Sequence, residues 1–392
     1  MPSPGDPALR NAADPVHAID REALDHLALG ATLIGSGGGG RVEILAALAA
    51  LALTGRPPIP VVPAERLPAD TWVAHVAFMG APLTMSEKLP TGVEIAAVAA
   101  ALAQRAGVEL GAIGCLQVGG QNAVAAVLAA LHLGLPLVDG DAMGRAFPNL
   151  EQTTLAAFGW SVNPLALMCP MGDLVFVETD NTASASRIAG SVVVQMGGWA
   201  ALGVHLVQAD RLAVEGLPGT ISEAVRKGGA FARFRDRATE RTPRDLADAL
   251  DADLLFHGSV IEIARARTPD EPAVLVLGED REPFRVARVD MLQEYLVVAV
   301  DGNVVATVPD VLFLVSSSGV ALDIDRLRLG QQVSVLRFPC HPHWLRAEAL
   351  PLVVPAAFGI RVDPVLSWDG SAYLDPESAE HRSTDGRRPP DS

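Results

Sequence analysis

The sequence has few cysteines, few aromatic residues and far fewer basic than acidic side chains. Only 3 of its 392 residues are cysteine, at positions 115, 169 and 340. An odd number without a CxxC pair predicts no disulfide framework and a reducing compartment, the cytoplasm. The formal net charge of −16 repels nucleic acid and anionic lipid, and no dense Lys/Arg stripe offsets it. We therefore expect neither a nucleic-acid partner nor a membrane partner.

Long apolar runs are also missing. Residues 1–21 are polar and lack the apolar segment of a signal peptide. The Ala-rich runs elsewhere are too short or too interrupted for the roughly 20 residues of a membrane-spanning helix. Residues 1–16 and 374–392 have no apolar periodicity and predict disordered tails.

What remains is a globular composition, 49% hydrophobic and 19% charged, in a chain long enough for two cores. Apolar strands at residues 72–78 and 112–118 alternate with Ala-rich helices at 92–106 and 123–132, which is typical of a parallel α/β sheet. Beyond about residue 250 short strands follow one another, separated by Gly and Asp turns. The sequence predicts an N-terminal α/β domain over residues 17–170 and a C-terminal domain over 171–370, mixed at first and then β-rich.

A glycine loop, residues 35–40, directly precedes a predicted helix. Its backbone amides offer donors to an anion or a carbonyl oxygen, so Gly37, Gly38 and Gly39 are candidate substrate-binding residues. The spacing also satisfies GxGxxG, but a dinucleotide site requires a preceding strand, and here a helix precedes the loop. Substrate contact, nucleotide binding and a tight helix-to-helix turn all remain open.

Polar residues follow the ends of two predicted strands, where ligands of parallel α/β sheets usually bind. Glu87, after the first strand, is a candidate general acid or base, or half of a solvated pair with Lys88. After the second strand, Gly119 and Gly120 allow close approach of a ligand. Asn122 offers an amide to that ligand or caps the following helix.

The richest segment contains Asp139, Asp141 and Arg145, flanked by glycines after a short strand. Carboxylates at this spacing can share a metal or a proton, or divide the roles of acid and base. The guanidinium of Arg145 can donate hydrogen bonds to a substrate carboxylate, two in parallel, or to a polarised carbonyl oxygen. An internal salt bridge that fixes the loop is the structural alternative.

Metal ligands are sparse in the sequence. His341 and His343 form the only close histidine pair, and they need a third ligand from elsewhere to hold zinc or another divalent ion. The cofactor is therefore unknown at this stage, with a divalent metal as one possibility. No GxSxG elbow is present, which argues against an α/β-hydrolase.

Taken in order, these segments resemble the S-methyl-thiohydantoin desulfurase family. The resemblance spans about residues 20–365 and is carried by the glycine loop in residues 33–40, the Gly-Ala-Pro turn at 80–82 with Glu87-Lys88, the Gly-Gly-Gln-Asn turn at 119–122, the run LPLVDGDAMGRAFP at 135–148, Glu-Tyr-Leu at 294–296 and Val-Pro-Asp at 308–310. The Asp-x-Asp-x-Met-Gly-Arg-Ala-Phe-Pro run is its most specific part.

The resemblance implies an N-terminal α/β sandwich domain followed by a β-rich domain. It also implies hydrolytic attack at C2 of a five-membered thiohydantoin-like ring, which releases a thiol and leaves a hydantoin. We expect Asp139 or Asp141 to activate water, directly or through a divalent metal, and Arg145 to orient an anionic side chain or polarise the ring carbonyl. The glycine backbones are expected to stabilise negative charge, and Asn122 and Glu87 to complete the pocket.

Two other function classes stay open. The chain could be a non-catalytic binding subunit that acts with a hydantoinase-type protein, or a nucleotide-binding protein that uses the glycine loop. In each case the expected ligand is a small molecule. A homo-oligomer is expected only because cytoplasmic enzymes commonly form one.

Overall fold

The computed structural model of the chain describes residues 15–236, 242–266, 268, 271–279, 282 and 284–367. The predicted tails, apart from residues 15 and 16, lie outside the described residues. No helix in the described part is long and apolar enough to cross a membrane.

The structure has ten α-helices within the described ranges. They are α1 (Arg21–Ile34), α2 (Glu43–Leu53), α3 (Pro82–Glu87), α4 (Val93–Ala106), α5 (Asn122–Leu133), α6 (Thr154–Ala157), α7 (Thr182–Gln195), α8 (Ala209–Glu215), α9 (Thr220–Asp236) and α10 (Pro243–Leu250).

The strands divide among three sheets. They are β1 (Ala18–Ile19), β2 (Ile59–Val62), β3 (Trp72–Gly80), β4 (Leu110–Cys115), β5 (Leu137–Val138), β6 (Gly140–Asp141), β7 (Leu165–Met168), β8 (Leu174–Val177), β9 (Trp199–Gln208), β10 (Leu217–Pro218), β11 (Asp253–Ala264), β12 (Ala273–Gly278), β13 (Val286–Met291), β14 (Tyr295–Val300), β15 (Asn303–Thr307), β16 (Val311–Ser316) and β17 (Gln332–Phe338).

The N-terminal sheet is mixed, in the order β1-β2-β5-β4-β3-β9-β7-β8. Its strands β2, β5, β4 and β3 are parallel, as the strand and helix alternation predicts. The other half is antiparallel, because β9 enters beside β3 in the opposite direction and β7 and β8 continue from it. A pattern of alternating strands and helices does not reveal such an added antiparallel half.

Both faces of this sheet are covered, which makes the predicted sandwich. Along β3, Ala74, Val76 and Phe78 face a core shared with α1, α2, α4 and α5. The alternate residues Val73 and Ala77 face a second core shared with α7 and α8 and with the segment after β17. This period of two follows from the pleat of a strand that is buried on both sides.

The C-terminal sheet is antiparallel, in the order β15-β14-β13-β12-β11-β17-β16. One face forms its own core, and the other packs against α9, α10 and Leu33 of α1. The two-domain α/β architecture with a β-rich second part is therefore confirmed.

The sheets divide the chain later than the predicted boundary at residue 170. Strands β8 and β9 lie beyond that boundary and pair within the N-terminal sheet. Helix α9 also returns to the first half and packs tightly along α1. A Cβ on Gly30 would lie 1.8 Å from the Ala224 carbonyl oxygen, and one on Gly228 would lie 1.7 Å from that of His26. Only glycine permits so close a crossing.

Candidate functional site

Asp139 binds the first turn of α9. It is 4% exposed, and its two carboxylate oxygens accept hydrogen bonds from the backbone amide and the hydroxyl of Ser222, at 3.0 and 2.6 Å. The carboxylate thus satisfies an amide in the first turn of the helix, where a negative charge is also favoured by the helix dipole. This arrangement gives Asp139 a structural task.

The carboxylate of Asp141, two residues later, binds the segment after β4 and the backbone of its own loop. Its Oδ2 atom accepts hydrogen bonds from the backbone amides of Val118, Met143 and Gly144, at 2.7, 3.2 and 2.8 Å. Its Oδ1 atom is buried and has no hydrogen-bond partner in the described structure. Burial raises the pKa of the Asp141 carboxyl to about 6, although the three amides and the nearby Thr220 hydroxyl lower it. Asp141 is therefore ionised at neutral pH but close to its titration range.

Arg145 lies between the two halves of the chain and is 1% exposed. Its guanidinium donates hydrogen bonds to the Ser36 hydroxyl at 2.8 Å and to the carbonyl oxygens of Ala146, Asp310 and Tyr295 at 3.2, 2.5 and 3.0 Å. Burial lowers the pKa of Arg145 to about 10, against the opposing effects of Glu294 and Asp310. These contacts join the glycine loop to β14 and to the turn before β16.

The glycine loop and the Gly119–Gly120 turn pack directly on each other. A Cβ on Gly39 would lie 2.7 Å from the Gly119 carbonyl oxygen, and one on Gly120 would lie 2.2 Å from that of Gly39. Gly37, Gly39 and Gly120 also have positive φ angles. Both requirements restrict these positions to glycine. The structure thus brings together two motifs that lie about 80 residues apart in the sequence.

Unused donors surround this contact. The backbone amides of Gly37, Gly39 and Gly40 have no hydrogen-bond acceptor among the described residues. Helices α2 and α5 begin just after the loop and the turn, and neither helix has a capping side chain. Free amides at helix N-termini favour a negatively charged or strongly polarised oxygen.

Glu294, which the motif reasoning did not assign to the site, faces the glycine loop from the hairpin between β13 and β14. Its Oε2 atom is buried without a hydrogen-bond partner in the described structure. Burial raises the pKa of the Glu294 carboxyl to about 7, and the Arg145 guanidinium partly offsets this rise. A carboxyl group with a pKa near the working pH can both give and take a proton.

The remaining predicted site residues have other positions. Asn122 accepts a hydrogen bond from the Phe78 amide at 2.8 Å, so its side-chain oxygen ties α5 to the end of β3. Glu87 is exposed at the end of α3 and makes no contact with the cluster formed by the glycine loop, the Gly119–Gly120 turn and Asp141. Lys88 donates to the Gly197 carbonyl oxygen at 3.2 Å rather than to Glu87.

The histidine pair forms no metal-ligand group with the buried aspartates among the described residues. The rings of His341 and His343 are 4.8 Å apart, but His341 Nδ1 accepts a hydrogen bond from the His343 amide, and His343 Nε2 contacts the Val214 carbonyl oxygen and Arg346. Among the described residues no three or more His, Cys, Asp or Glu side chains form a group that could hold a metal. We therefore derive no catalytic step through a metal.

Fold and site together define a two-domain α/β protein with two buried, partly unpaired carboxyl groups beside a glycine-lined junction. The chain belongs to the S-Me-THD-like family: the model of the family's N-terminal domain matches residues 22–179, and that of its C-terminal domain matches residues 179–365. The predicted family is thus confirmed.

A crystal structure of a protein from Chromobacterium violaceum has the same fold. It matches with a TM-score of 0.72 and 24% sequence identity, over 89% of this chain and 100% of that one. At this identity the likeness shows the fold alone. No curated protein matches the chain.

Proposed function

We propose that the chain hydrolyses a small five-membered ring of the S-methyl-thiohydantoin or hydantoin type. The observation that carries this proposal is the pair of buried carboxyl groups, Asp141 and Glu294, next to the glycine-lined junction. Asp141 binds the amide of Val118, beside Gly119, and Glu294 lies against Gly38. Each has one oxygen without a partner, and the pKa values are about 6 and about 7. Buried carboxyl groups with raised pKa values near neutrality are typical of general acids and general bases.

In the proposed reaction, ionised Asp141 takes a proton from water while the water oxygen forms a bond to C2 of the ring. The bond between C2 and sulfur then breaks, and protonated Glu294 gives its proton to the departing methanethiolate. The products are methanethiol and a hydantoin, and proton exchange with solvent returns both carboxyl groups to their starting states. The chemistry needs no oxidant or reductant.

The glycine backbones have a separate task in this proposal. Negative charge grows on the ring as water adds, and the amides of Gly37, Gly39 and Gly40 supply donors for it. In the Gly119–Gly120 turn, the Gly120 amide already donates to the Ala31 carbonyl oxygen at 2.7 Å, so this turn contributes close approach rather than that amide. Asp139, Arg145 and Asn122 hold the surrounding segments in place through their hydrogen bonds to the protein. Glu87 has no part in the reaction.

Thiol release from an S-methyl-thiohydantoin by the purified full-length protein tests the proposal. We expect Asp141→Asn and Glu294→Gln each to lower kcat by about a hundredfold or more, the usual contribution of one acid or base. Glu87→Gln, an equally conservative change at an exposed carboxylate, is the control and should retain wild-type turnover. Normal turnover by both buried-carboxyl variants would rule out the mechanism.

The binding-subunit alternative predicts a different result. Hydantoins would then raise the melting temperature without any turnover, and turnover would require an added hydantoinase-type protein. Elemental analysis of the purified protein tests for zinc or another divalent metal, which the sequence left open, and size-exclusion chromatography tests the predicted homo-oligomer. A lack of any NAD or ATP effect on the melting temperature would remove the nucleotide alternative.

A further inference from the structure

The side chain of Gln121 lies where the glycine loop meets the Gly119–Gly120 turn, and the fold makes no use of its polar atoms. Gln121 is 6% exposed, and its carboxamide makes no hydrogen bond within the described structure. The backbone of Gln121 is fixed on both sides, because its amide donates to the Gly39 carbonyl oxygen at 2.9 Å and its carbonyl oxygen accepts from the Ala125 amide at 3.0 Å. A buried glutamine without a partner loses hydration and rotamer freedom with no return from the fold.

A second buried glutamine, Gln117, shows the contrast. Its Nε2 atom donates to the Gly119 carbonyl oxygen at 2.9 Å, and its Oε1 atom accepts from the Phe147 amide at 3.3 Å. Both ends of that carboxamide are therefore used by the fold. Gln121 occupies the N-cap position of α5 but makes no capping hydrogen bond with its side chain. The donors and the acceptor of Gln121 thus remain for a ligand.

The Gln121 carboxamide faces the glycine loop. A Cβ on Gly40 would lie 2.7 Å from Gln121 Cδ and 2.8 Å from Gln121 Nε2, so only a glycine leaves room for the carboxamide beside the loop backbone. Glu294 lies against Gly38 in the same way. Two residues of chain separate α-carbons by at most about 7 Å. The carboxamide, the unpaired Glu294 oxygen and the free loop amides therefore adjoin one short segment.

A carboxamide is complementary to one edge of a five-membered cyclic amide. The ring holds an N–H group and the adjacent carbonyl oxygen side by side, and a carboxamide presents an acceptor and a donor at the same spacing. The two groups can therefore form two parallel hydrogen bonds. An ionised carboxylate has no donor for Oε1, and it would also lie close to the Glu294 carboxyl group. The uncharged ring edge is thus the better match to this site.

We propose that Gln121 selects the ring by this edge, with Oε1 accepting from the ring N3–H and Nε2 donating to the oxygen on C4. The ligand class is a five-membered cyclic amide with an unsubstituted nitrogen next to a carbonyl group. N3 is bonded to C2, so the pairing holds C2 one bond from the recognised nitrogen. The inference rests on the proposed function for the identity of the ring, but ring binding is measurable without turnover.

Titration calorimetry of the full-length protein with stable product-type rings tests the site. 1-Methylhydantoin keeps the N3–H edge, whereas 3-methylhydantoin has a methyl group in its place. We expect hydantoin and 1-methylhydantoin to bind with similar Kd and 3-methylhydantoin to bind at least about tenfold more weakly, which corresponds to the loss of one or two hydrogen bonds. Equal affinity for the three rings, or binding of none of them, would overturn the proposal.

A variant separates hydrogen bonding from the bulk of the methyl group. Gln121→Met keeps the length of the side chain and removes both polar atoms, so hydantoin should bind at least about tenfold more weakly and the preference over 3-methylhydantoin should disappear. Gln104→Met, at an exposed glutamine of α4, is the control and should keep the wild-type preference. Gln121→Met should leave the melting temperature unchanged, whereas Gln117→Met should lower it. A preference retained by Gln121→Met would refute the role of Gln121.

Turnover distinguishes this inference from the proposed function. With S-methyl-thiohydantoin, Gln121→Met should raise KM at least about tenfold with a smaller change in kcat, because the edge pairing is made in the bound substrate as well as in the reacting state. An unchanged KM with normal thiol release would refute the inference and leave the proposed function standing. If the ring preference depends on Gln121 but the wild type releases no thiol, the ring site stands and the proposed reaction fails.

Discussion

The backbone of Gly38 lies against the carboxyl group of Glu294. A Cβ on Gly38 would lie 2.8 Å from Glu294 Oε1 and 2.6 Å from the Gln293 carbonyl oxygen. The second contact is with backbone, so a methyl group there must displace either the glycine loop or the β13–β14 hairpin. This contact sets the position of the proposed acid relative to the loop amides.

Gly38→Ala should therefore impair turnover more than stability. We expect thiol release to fall about a hundredfold, as for a small displacement of a catalytic group, with a modest drop in melting temperature. Gly190→Ala, in α7, is the control, because the nearest atom to its added Cβ would be Met79 Cε at 3.9 Å. Similar rates for the two variants would show that the contact has no catalytic importance.

Replacement of Arg145 should change the pH dependence of turnover. Arg145 lowers the pKa of Glu294, so Arg145→Met raises that pKa above its value of about 7. If the reaction needs protonated Glu294, turnover falls as the pH rises through the pKa of Glu294. The alkaline limb of the pH–rate profile should therefore move to higher pH in Arg145→Met. Arg145→Lys keeps the charge and should leave the limb near its wild-type position.

The same substitution tests the structural task of Arg145. Arg145→Met removes the guanidinium that donates to the Ser36 hydroxyl and to the carbonyl oxygens of Tyr295 and Asp310 in a buried site. We expect a loss of about 3 kcal/mol or more in the free energy of unfolding. Urea denaturation measures it, and an unchanged midpoint would mean that these hydrogen bonds contribute nothing net.

Asp139 and Ser222 should stabilise the fold as a pair. Asp139→Ala removes both acceptors of Ser222, and we expect a loss of about 2 kcal/mol in the free energy of unfolding. Ser222→Ala keeps the amide bond to Asp139 but removes two bonds of the hydroxyl, the one it donates to Asp139 and the one it accepts from the Val16 amide at 2.9 Å, so we expect a loss of similar size. In a double-mutant cycle the two losses should not add, and full additivity would contradict the pairing.

Two buried histidines should make the protein sensitive to acid. His75 and His205 face each other from β3 and β9, and burial lowers their pKa values to about 4 and about 3. The unfolded chain binds protons on both rings below about pH 6.5, whereas the folded chain does not until far lower pH. Stability is therefore complete above about pH 6.5 and falls as the pH drops toward 4.

His75→Gln isolates this effect from the other titrating groups. Asp141 and Glu294 have raised pKa values, so they act in the opposite sense and weaken the fold as the pH rises through about 4 to 7. Against that background, the variant should lose less stability than the wild type between pH 6.5 and 4.5 in urea denaturation. Parallel pH profiles would exclude His75 as a source of the acid sensitivity.

Local patterns predicted most of the secondary structure. The apolar run at residues 72–78 corresponds to β3, and the Ala-rich run at 92–106 to α4, because burial on a strand or a helix imposes a readable periodicity. The very short strands β6 and β10 left no such signal. The antiparallel entry of β9 depends on a contact between distant segments, which local periodicity does not encode.

For the candidate site, the sequence indicated which segments of the chain are involved more readily than it indicated what each side chain does there. The glycines of both turns were predicted to allow the approach of a ligand. In the structure the two turns pack on each other, and contact with a ligand stays a prediction. Asp139 and Asp141 looked like one pair, yet Asp139 binds Ser222 and Asp141 binds Val118, because neighbours two apart can turn to different partners. Glu294 belongs to the Glu-Tyr-Leu motif, but that motif indicated no role for it, since its burial beside a loop more than 250 residues earlier is visible only in the fold.

Strand β9 has a consequence for how the chain is made. It pairs with β3 along the whole length of that strand, from Trp72 opposite Gln208 to Gly80 opposite Trp199. A nascent chain that has left the ribosome only as far as β8 therefore still exposes an apolar, unpaired edge on β3. The N-terminal sheet can therefore be completed only after β9 has been synthesised, and β9 lies beyond residue 179, where the match to the family's N-terminal domain ends. A fragment cut at residue 179 should aggregate rather than fold.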